Sequence, residues 1–403
     1  NLSTSRNATI NIAAGATLTS TATSSGSITR GANLSSFSRV VNVPSGTNGI
    51  KVGMLVTGTD SLNPLFQTNA YVVQILSHDQ VLLSASPTAT PVGTVDVIFN
   101  QIDQNMGVMT GDGNWEKLGS GAIMLSGQNN LNGQMLIREG DVIAGGFNIA
   151  GRNVIQDTIG NNTRVSLGDT GLAASLSLAS NSINLQSFER IGSLSGGVNA
   201  RINISGNNTS SVLALGADNT SSVYSGQIRG NANSRLIKEG TGKFTWTNSD
   251  TNVFDGFVRV ENGELDVGGT VGLSSTSNAI LSNLGSAKMT LSTTSTNGQV
   301  LNSISGGGRG ATSTFANGVR GALLGNYLNG GTPEVDIGVR GLTVAGNVVG
   351  SLFTFAGNLS GAGDLIKTGN STLELLGTNT YQGDTEIRSV AASTTNTLRI
   401  GVY

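Results

Sequence analysis

The sequence predicts an all-β protein, a parallel β-solenoid in which short strands stack coil upon coil. Two observations predict it. Apolar residues alternate for a few positions between clusters of Gly, Asn, Ser and Thr, and one long phrase recurs three times. The composition agrees, because 58 of the 403 residues are Gly, whereas charged residues make up only 11% and aromatic residues 4%. Evenly spaced aliphatic residues combined with low charge argue against disorder.

Composition also excludes several classes of protein. The formal net charge of −2 offers no basic footprint for nucleic acid. No run of about 18 apolar residues predicts a membrane-spanning helix. The chain has no Cys, which excludes disulfides, thiol catalysis and Cys-based zinc sites. The absence of Cys fits a secreted bacterial protein, although cytosolic proteins can lack Cys too. The chain begins at Asn1 rather than Met, so we expect that a leader was removed or that the chain is a fragment.

The recurring phrase is a strand, a Lys-x-Gly step and a second strand. It reads "WEKLGSGAIML" from Trp115, "LIKEGTGKFTW" from Leu236 and "LIKTGNSTLEL" from Leu365, within repeat landmarks at 109–146, 228–269 and 359–401. The copies align at Lys117, Lys238 and Lys367 and at Gly119, Gly240 and Gly369. The landmarks lie too far apart to be single units, so we interpret them as marks in an array of coils of roughly 20 to 25 residues.

A stacked coil explains these strands better than antiparallel hairpins, because each coil buries its inward residues against the same positions above and below. Gly and Asn suit the tight turns, since both tolerate positive φ. Outward Thr, Ser and Lys are expected to stay in solvent. Period-2 alternation predicts that Met124, Thr245 and Glu374 point outward. Their neighbours on both sides are predicted to point inward: Ile123, Leu125, Phe244, Trp246, Leu373 and Leu375.

The three copies resemble the autotransporter-associated β-strand repeat, also called the passenger-associated transport repeat. The third copy, "GAGDLIKTGNSTLELLGTNTYQGDTEI", is closest to that pattern; "NNLNGQMLIREGDVIAG" and "TNVFDGFVRVENGELDVGG" follow it more loosely. The resemblance implies a right-handed parallel β-helix on the bacterial surface, in a family that includes adhesins and cell-wall-associated fibres. A complete autotransporter ends in a membrane β-barrel. This sequence stops at Tyr403 after a repeat, so we expect that such a barrel was removed or that another secretion route is used.

A second type of sequence lies near the N-terminus. Residues 39–99 hold the only histidine, His78, and four of the five prolines: Pro44, Pro64, Pro87 and Pro91. The runs "NAYVVQIL" and "QVLLSA" predict strands on either side of a turn at "SHD". We therefore predict N-terminal β-helix coils at 1–38, a small inserted β domain at 39–99 and a main β-helix at 100–403. The insert is interpreted as a loop domain or end cap, or alternatively as a module for contacts.

Residues suited to catalysis are few. Some β-helices degrade polysaccharides with paired carboxylates, and Asp157, Asp169 and Glu189 are the candidates here, because acids one or two coils apart fall within glycosidase distance. A single histidine beside Asp79 makes a Ser–His–Asp triad improbable, and neither a nucleophile elbow nor a phosphate-binding loop occurs.

Two further motifs are interpreted as structural. "GDGNWE" places Asp112 and Asn114 at a turn without completing a calcium loop. Sequons such as those at Asn7, Asn207 and Asn370 are expected from the Asn, Ser and Thr content alone. The sequence therefore predicts no catalytic, cofactor-binding or metal-binding residue, and no enzyme.

These expectations define a non-enzymatic extracellular bacterial surface protein, a structural β-solenoid subunit that self-assembles end to end into a fibre or filament. Strand patterns at both termini, "ATINIAAGATLTS" and "NTLRIGVY", lack the Lys, Pro or helix that blocks exposed strand edges. Other copies of the chain are therefore the expected partners, joined head to tail or by strand exchange. The alternatives are an adhesin passenger that binds cells or glycans, and a polysaccharide-degrading β-helix enzyme. Neither nucleic acid nor a membrane-spanning role is expected of this segment.

Overall fold

The protein is described by a computed structural model. It describes residues 9–21, 27–36, 38–50, 54–60, 63–66, 70–83, 86–87, 90–100, 104–106, 108–125, 127–145, 157–168, 171–178, 187–204, 211–247, 254–282, 286–307, 332–389 and 396–401. Every helix or strand in these ranges is a β-strand, so the predicted all-β class is confirmed.

The strands are short and follow one another closely. The first half of the chain contains β1 (Thr9–Asn11), β2 (Thr17–Thr21), β3 (Ser27–Ala32), β4 (Val40–Asn42), β5 (Leu55–Thr57), β6 (Thr59–Asp60), β7 (Asn63–Pro64), β8 (Ala70–Ser77), β9 (Gln80–Leu83), β10 (Val95–Asn100), β11 (Gln104–Met106), β12 (Val108–Gly111), β13 (Asn114–Leu118), β14 (Ala122–Leu125), β15 (Asn130–Leu131), β16 (Gln134–Ile137), β17 (Gly140–Ala144), β18 (Arg164–Leu167), β19 (Ala174–Leu178), β20 (Ser187–Ile191), β21 (Ser193–Gly196) and β22 (Ala200–Asn203). The second half contains β23 (Ser211–Leu215), β24 (Ser222–Tyr224), β25 (Gln227–Arg229), β26 (Arg235–Lys238), β27 (Lys243–Thr247), β28 (Phe257–Val260), β29 (Glu264–Gly269), β30 (Asn278–Leu281), β31 (Lys288–Thr293), β32 (Gln299–Leu301), β33 (Ser303–Gly306), β34 (Glu334–Asp336), β35 (Leu342–Val344), β36 (Leu352–Phe355), β37 (Asn358–Ser360), β38 (Leu365–Lys367), β39 (Thr372–Leu375), β40 (Thr385–Ile387) and β41 (Thr397–Ile400).

The chain divides into two compact units. The first comprises Asn1–Arg190 with Asn199–Val212, and the second comprises Ile191–Val198 with Leu213–Tyr403. The division predicted from the sequence, at 38 and 99, stays a prediction.

In the first unit, parallel strands form three columns: β1-β12-β15, β2-β13-β16-β18 and β11-β14-β17-β19-β22. From β12 to β17 the chain visits the three columns in the same order twice. Strands β1 and β2 pair with β12 and β13 although the chain between them is long. The intervening segment is therefore an excursion from a continuous parallel stack.

This excursion forms an antiparallel sheet in the order β3-β10-β5-β8-β9-β4. Its hydrophobic cluster includes Val41, Val56, Val72 and Phe99, none of which is exposed. The predicted hairpin is confirmed, since β8 and β9 pair antiparallel around the turn at 78–79. The sheet includes β3, which begins at Ser27, because β3 pairs antiparallel with β10 over six residues.

In the second unit, parallel strands again form three columns. They are β21-β24-β27-β29-β31-β34-β37, β32-β35-β38-β40 and β26-β28-β30-β33-β36-β39-β41. From β31 to β39 the chain passes through the columns in a fixed order, three strands to a turn. At several positions, hydrogen bonds from one turn to the next join residues that are 20 to 29 positions apart.

The predicted inward residues are confirmed. Ile123, Leu125, Phe244, Trp246, Leu373 and Leu375 are all buried. They form ladders with the equivalent residues of the next turn, as Phe244 does with Leu265. Thr245 and Glu374 are partly exposed, as expected of outward positions.

The prediction for Met124 is wrong, since this residue is buried. It pairs with Ile143 on the neighbouring strand, and every residue of β14 is buried. Both faces of β14 are therefore buried, so alternation does not decide exposure on this strand.

Glycines at the corners allow the turns to stack. Gly240 and Gly263 have positive φ, and a Cβ on either would collide with the carbonyl oxygen of the equivalent glycine one turn earlier, Gly216 or Gly240. Only a residue without a Cβ lets successive corners approach this closely. The recurring glycines of the sequence are thus explained by contact between turns as well as by φ.

Replacing Gly240 with Ala should destabilise the fold by several kcal/mol, because the new methyl group meets backbone that cannot move aside. Gly350 is the matched control: its φ of +74° resembles the +64° of Gly240, but nothing lies within 4 Å of its would-be Cβ. Gly350→Ala should cost only about 1–2 kcal/mol of backbone strain. Urea unfolding of both variants measures the difference, and equal losses would contradict the corner-stacking explanation.

Candidate functional site

Two of the three acids proposed from the sequence come together. Asp157 lies in a turn with a positive φ of 56°, and its Oδ1 accepts a hydrogen bond from the backbone N–H of Arg190 at 3.3 Å. Glu189 precedes Arg190 on β20 and accepts bonds from the two residues that follow Asp157. Asp169 lies outside the described residues.

The carboxylate of Glu189 is buried, at 1% exposure, with three donors around it. Oε1 accepts from the backbone N–H and the hydroxyl of Thr158, at 2.9 and 2.8 Å, and Oε2 accepts from the N–H of Ile159 at 3.0 Å. Burial raises the pKa of Glu189 to about 7, and these donors oppose the shift. A pKa near 7 suits a proton-transfer group, but the group is enclosed. The hydrogen bonds of the Glu189 carboxylate attach residues 157–159 to β20.

A second candidate site occurs three times, because each repeat copy contains one lysine at the same position. Lys117, Lys238 and Lys367 are buried, at 0–1% exposure, so they are not among the outward lysines expected to stay in solvent. Each lies on a strand just before the glycine turn of its repeat. The side chain points inward because it occupies the same alternation position as a buried apolar residue two places earlier.

The ammonium groups bond carbonyl oxygens at the corners. Lys238 Nζ donates to the carbonyls of Glu239, Gly240 (2.9 Å) and Asn262 (3.2 Å), and the last of these lies on the next turn. Lys117 makes the equivalent bond to Glu139 at 2.7 Å. In the third copy the acceptor on the next turn is a side chain: Lys367 Nζ donates to the Oδ1 of Asn396 at 2.9 Å.

Burial shifts the titration of two of these amines, Lys238 and Lys367. It lowers the pKa of Lys238 and of Lys367 to about 8. Nearby Glu239 and Asp218 oppose the shift at Lys238. The carbonyl cage satisfies the donors of the cation, which is the condition under which a charge can be buried.

An outward charge ladder borders a surface cleft of about 430 Å³. Lys243, Glu264, Lys288 and Glu334 occupy paired positions on four successive strands, so positive and negative charges alternate. Lys243 Nζ lies 3.0 Å from Glu264 and 2.7 Å from Asp266, and Lys288 Nζ lies 3.4 Å from Glu334. The charges neutralise one another, and like charges at these directly paired positions would be destabilising.

The remaining candidates lie apart from these groups. His78 is an exposed turn residue, as expected from the sequence. Asp112 and Asn114 bond the next turn, through Asn132 (2.8 Å) and the backbone N–H of Gln134 (2.9 Å). Asn7 and Asn207 lie outside the described residues, and Asn370 lies in the turn between β38 and β39.

Sequence reasoning missed the carbonyl-bonded lysines, although a signal for them existed. Each shares its alternation position with a buried residue, as Lys238 does with Leu236, and each precedes the positive-φ glycine by two residues. The same signal exists for Glu189, which shares its position with the buried Ile191.

Comparison with known proteins adds no relative: neither a protein-family model nor any curated protein matches the chain. Within the described ranges no helix has the length and apolar character to cross a membrane, and His, Cys, Asp and Glu nowhere group in threes suited to a metal ion.

The raised pKa of Glu189 predicts a pH dependence of stability. The folded state binds this proton more tightly than the unfolded state does, so the free energy of unfolding falls as pH rises from about 4.5 to about 7. Glu189→Gln removes the titration, and the fall relative to this variant should be on the order of 2–3 kcal/mol. Thermal melts between pH 4 and 8 measure it. Glu386→Gln is the control, because Arg388 lowers the pKa of that exposed carboxyl and no such fall is expected.

The lowered pKa of Lys238 predicts the opposite slope at higher pH. Between about 8 and 10.5 the unfolded state binds more protons, so stability relative to Lys238→Met should rise with pH, by about 1–3 kcal/mol. Lys243→Met serves as the control, because acidic partners raise the pKa of Lys243 and its contribution stays constant in this window. A flat difference for Lys238 would show that its ammonium is not buried in solution.

Proposed function

We propose that this chain is a non-enzymatic extracellular bacterial surface protein, a right-handed parallel β-helix of the passenger-associated transport repeat type that assembles end to end. The fixed order in which the chain visits three parallel columns supports the coiled architecture, and right-handed connections are the rule for parallel strands. The repeat resemblance supports the surface location.

The surface formed by β40 and β41 carries the assembly proposal. Ile400 pairs with Leu375 and continues its inward ladder, yet Ile400 is 65% exposed whereas Leu375 is 1% exposed. Ile387 continues the Lys367 ladder and is 53% exposed. Inward apolar positions therefore face solvent here, and each of the two strands has a neighbour on one side only among the described residues.

In the first unit, β1 and β2 each have an unpaired edge as well, taken over the described residues. Within the described ranges, β1 pairs only with β12 and β2 pairs only with β13, both in parallel. A second copy is the occupant that fits both edges, because it brings parallel strands of the same coil. Such a contact joins two different surfaces, so it propagates into a filament unless it closes into a ring.

Filaments should form from the purified 403-residue chain, and Ile400→Asp should abolish them by placing a charge in the apolar contact. Val339→Asp is the control: Val339 is 77% exposed in a turn and takes no part in either edge. Electron microscopy and light scattering provide the measurement. A monodisperse monomer of the unmodified chain at high concentration, or equal loss of filaments in both variants, would contradict end-to-end assembly.

A further inference from the structure

One outward face of the second unit combines arginines with apolar side chains. Arg235 and Ile237 of β26, Phe257 and Arg259 of β28, and Ile280 of β30 are outward and partly exposed, and we call them the Arg235–Arg259 face. Arg235 pairs with Phe257, and Arg259 pairs with Ile237 and Ile280. The two arginines are therefore diagonal neighbours, which in a sheet places them within reach of one ligand.

Arg235 has no acidic partner among the described residues. Its guanidinium lies over the Phe257 ring, 5.7 Å from the centroid, and its buried Nε has no hydrogen-bond partner. Burial and the charge of Arg259 both lower the pKa of Arg235, whereas no acidic group among the described residues opposes that shift. Arg259 differs, because its Nε lies 2.6 Å from Glu261.

This arrangement costs stability in the free protein, since a partly desolvated cation faces a like charge and leaves a buried donor unbonded. If Arg235 only stabilised the fold, we would expect an acidic residue beside it, as Lys243 and Lys288 each have in the charge ladder. An anionic ligand across the face would supply the missing acceptor and offset the repulsion.

We propose that the Arg235–Arg259 face binds the carboxylate groups of an acidic polysaccharide. The face belongs to the interior of a sheet, with β28 paired on both sides, so a peptide has no strand edge to extend there. A flat surface of aliphatic and aromatic carbon beside cationic groups suits sugar rings that carry carboxylates. Phe257 positions Arg235, and Arg259 supplies the second charge. This site is separate from the strand edges used for assembly.

Binding of the full chain to sodium polygalacturonate at low salt, with neutral dextran and poly-L-glutamate in parallel, tests the proposal. The unmodified chain should bind polygalacturonate more tightly than either other polymer. Arg235→Gln should weaken binding at least tenfold, and Phe257→Leu, which keeps the charge, about threefold. Arg164→Gln, an exposed arginine of β18 with the same loss of charge, should change binding less than twofold.

Thermal melting separates a ligand site from a structural role. Because Arg235 is held at a cost, Arg235→Gln should leave the melting temperature of the free protein unchanged or higher. The proposal is overturned if polygalacturonate does not bind, if poly-L-glutamate binds equally well, if Arg164→Gln weakens binding as much as Arg235→Gln, or if Arg235→Gln lowers the melting temperature and leaves binding intact.

Discussion

Hydrogen bonding between successive parallel strands, at the roughly 4.8 Å spacing of a sheet, is the constraint on which the rest of the structure depends. It brings the same position of every turn directly above its predecessor. Corners must then nest, which leaves no room for a Cβ at Gly240 or Gly263. Inward side chains must form ladders, and outward charges must alternate in sign, as Lys243, Glu264 and Lys288 do. The sequence is repetitive because each turn must satisfy the same stacking constraints as the turn before it.

The buried ionisable groups follow from the same constraint. Parallel stacking leaves corner carbonyls facing the interior, where water does not satisfy them. Lys117, Lys238 and Lys367 place an ammonium among these oxygens, and the long aliphatic stem of each lysine fills core volume on the way. Glu189 solves the complementary problem by accepting bonds from the N–H groups of Thr158 and Ile159. Both groups therefore complete backbone hydrogen bonding inside the fold.

Period-2 alternation predicts which side chains are buried wherever one face of a strand packs against the core and the other faces solvent. Alternation alone predicts Phe244, Trp246 and Leu373 as inward, and all three are buried; many such alternating runs predict the all-β class. Alternation also fits Lys238, which is buried like Leu236, but it fails at Met124, because every residue of β14 is buried. The pairing of β3 with β10 could not be predicted, since a long-range antiparallel contact leaves no local pattern. The Arg235–Arg259 face could not be predicted either, because the number of residues in each coil decides which residues of successive turns lie side by side.

Engineered disulfides test the stacking register most directly, since the chain has no native Cys to interfere. Val223 and Thr245 pair on adjacent turns with both side chains outward, and paired strands bring Cα atoms within the 4.4–6.8 Å that a disulfide requires. The double variant Val223→Cys, Thr245→Cys should form an intramolecular disulfide under mild oxidation. The pair Val223→Cys, Thr247→Cys, displaced by two residues on the same face, should remain reduced. Rapid cross-linking of the displaced pair, or no cross-linking of the matched pair, would contradict the parallel stack of coils described here.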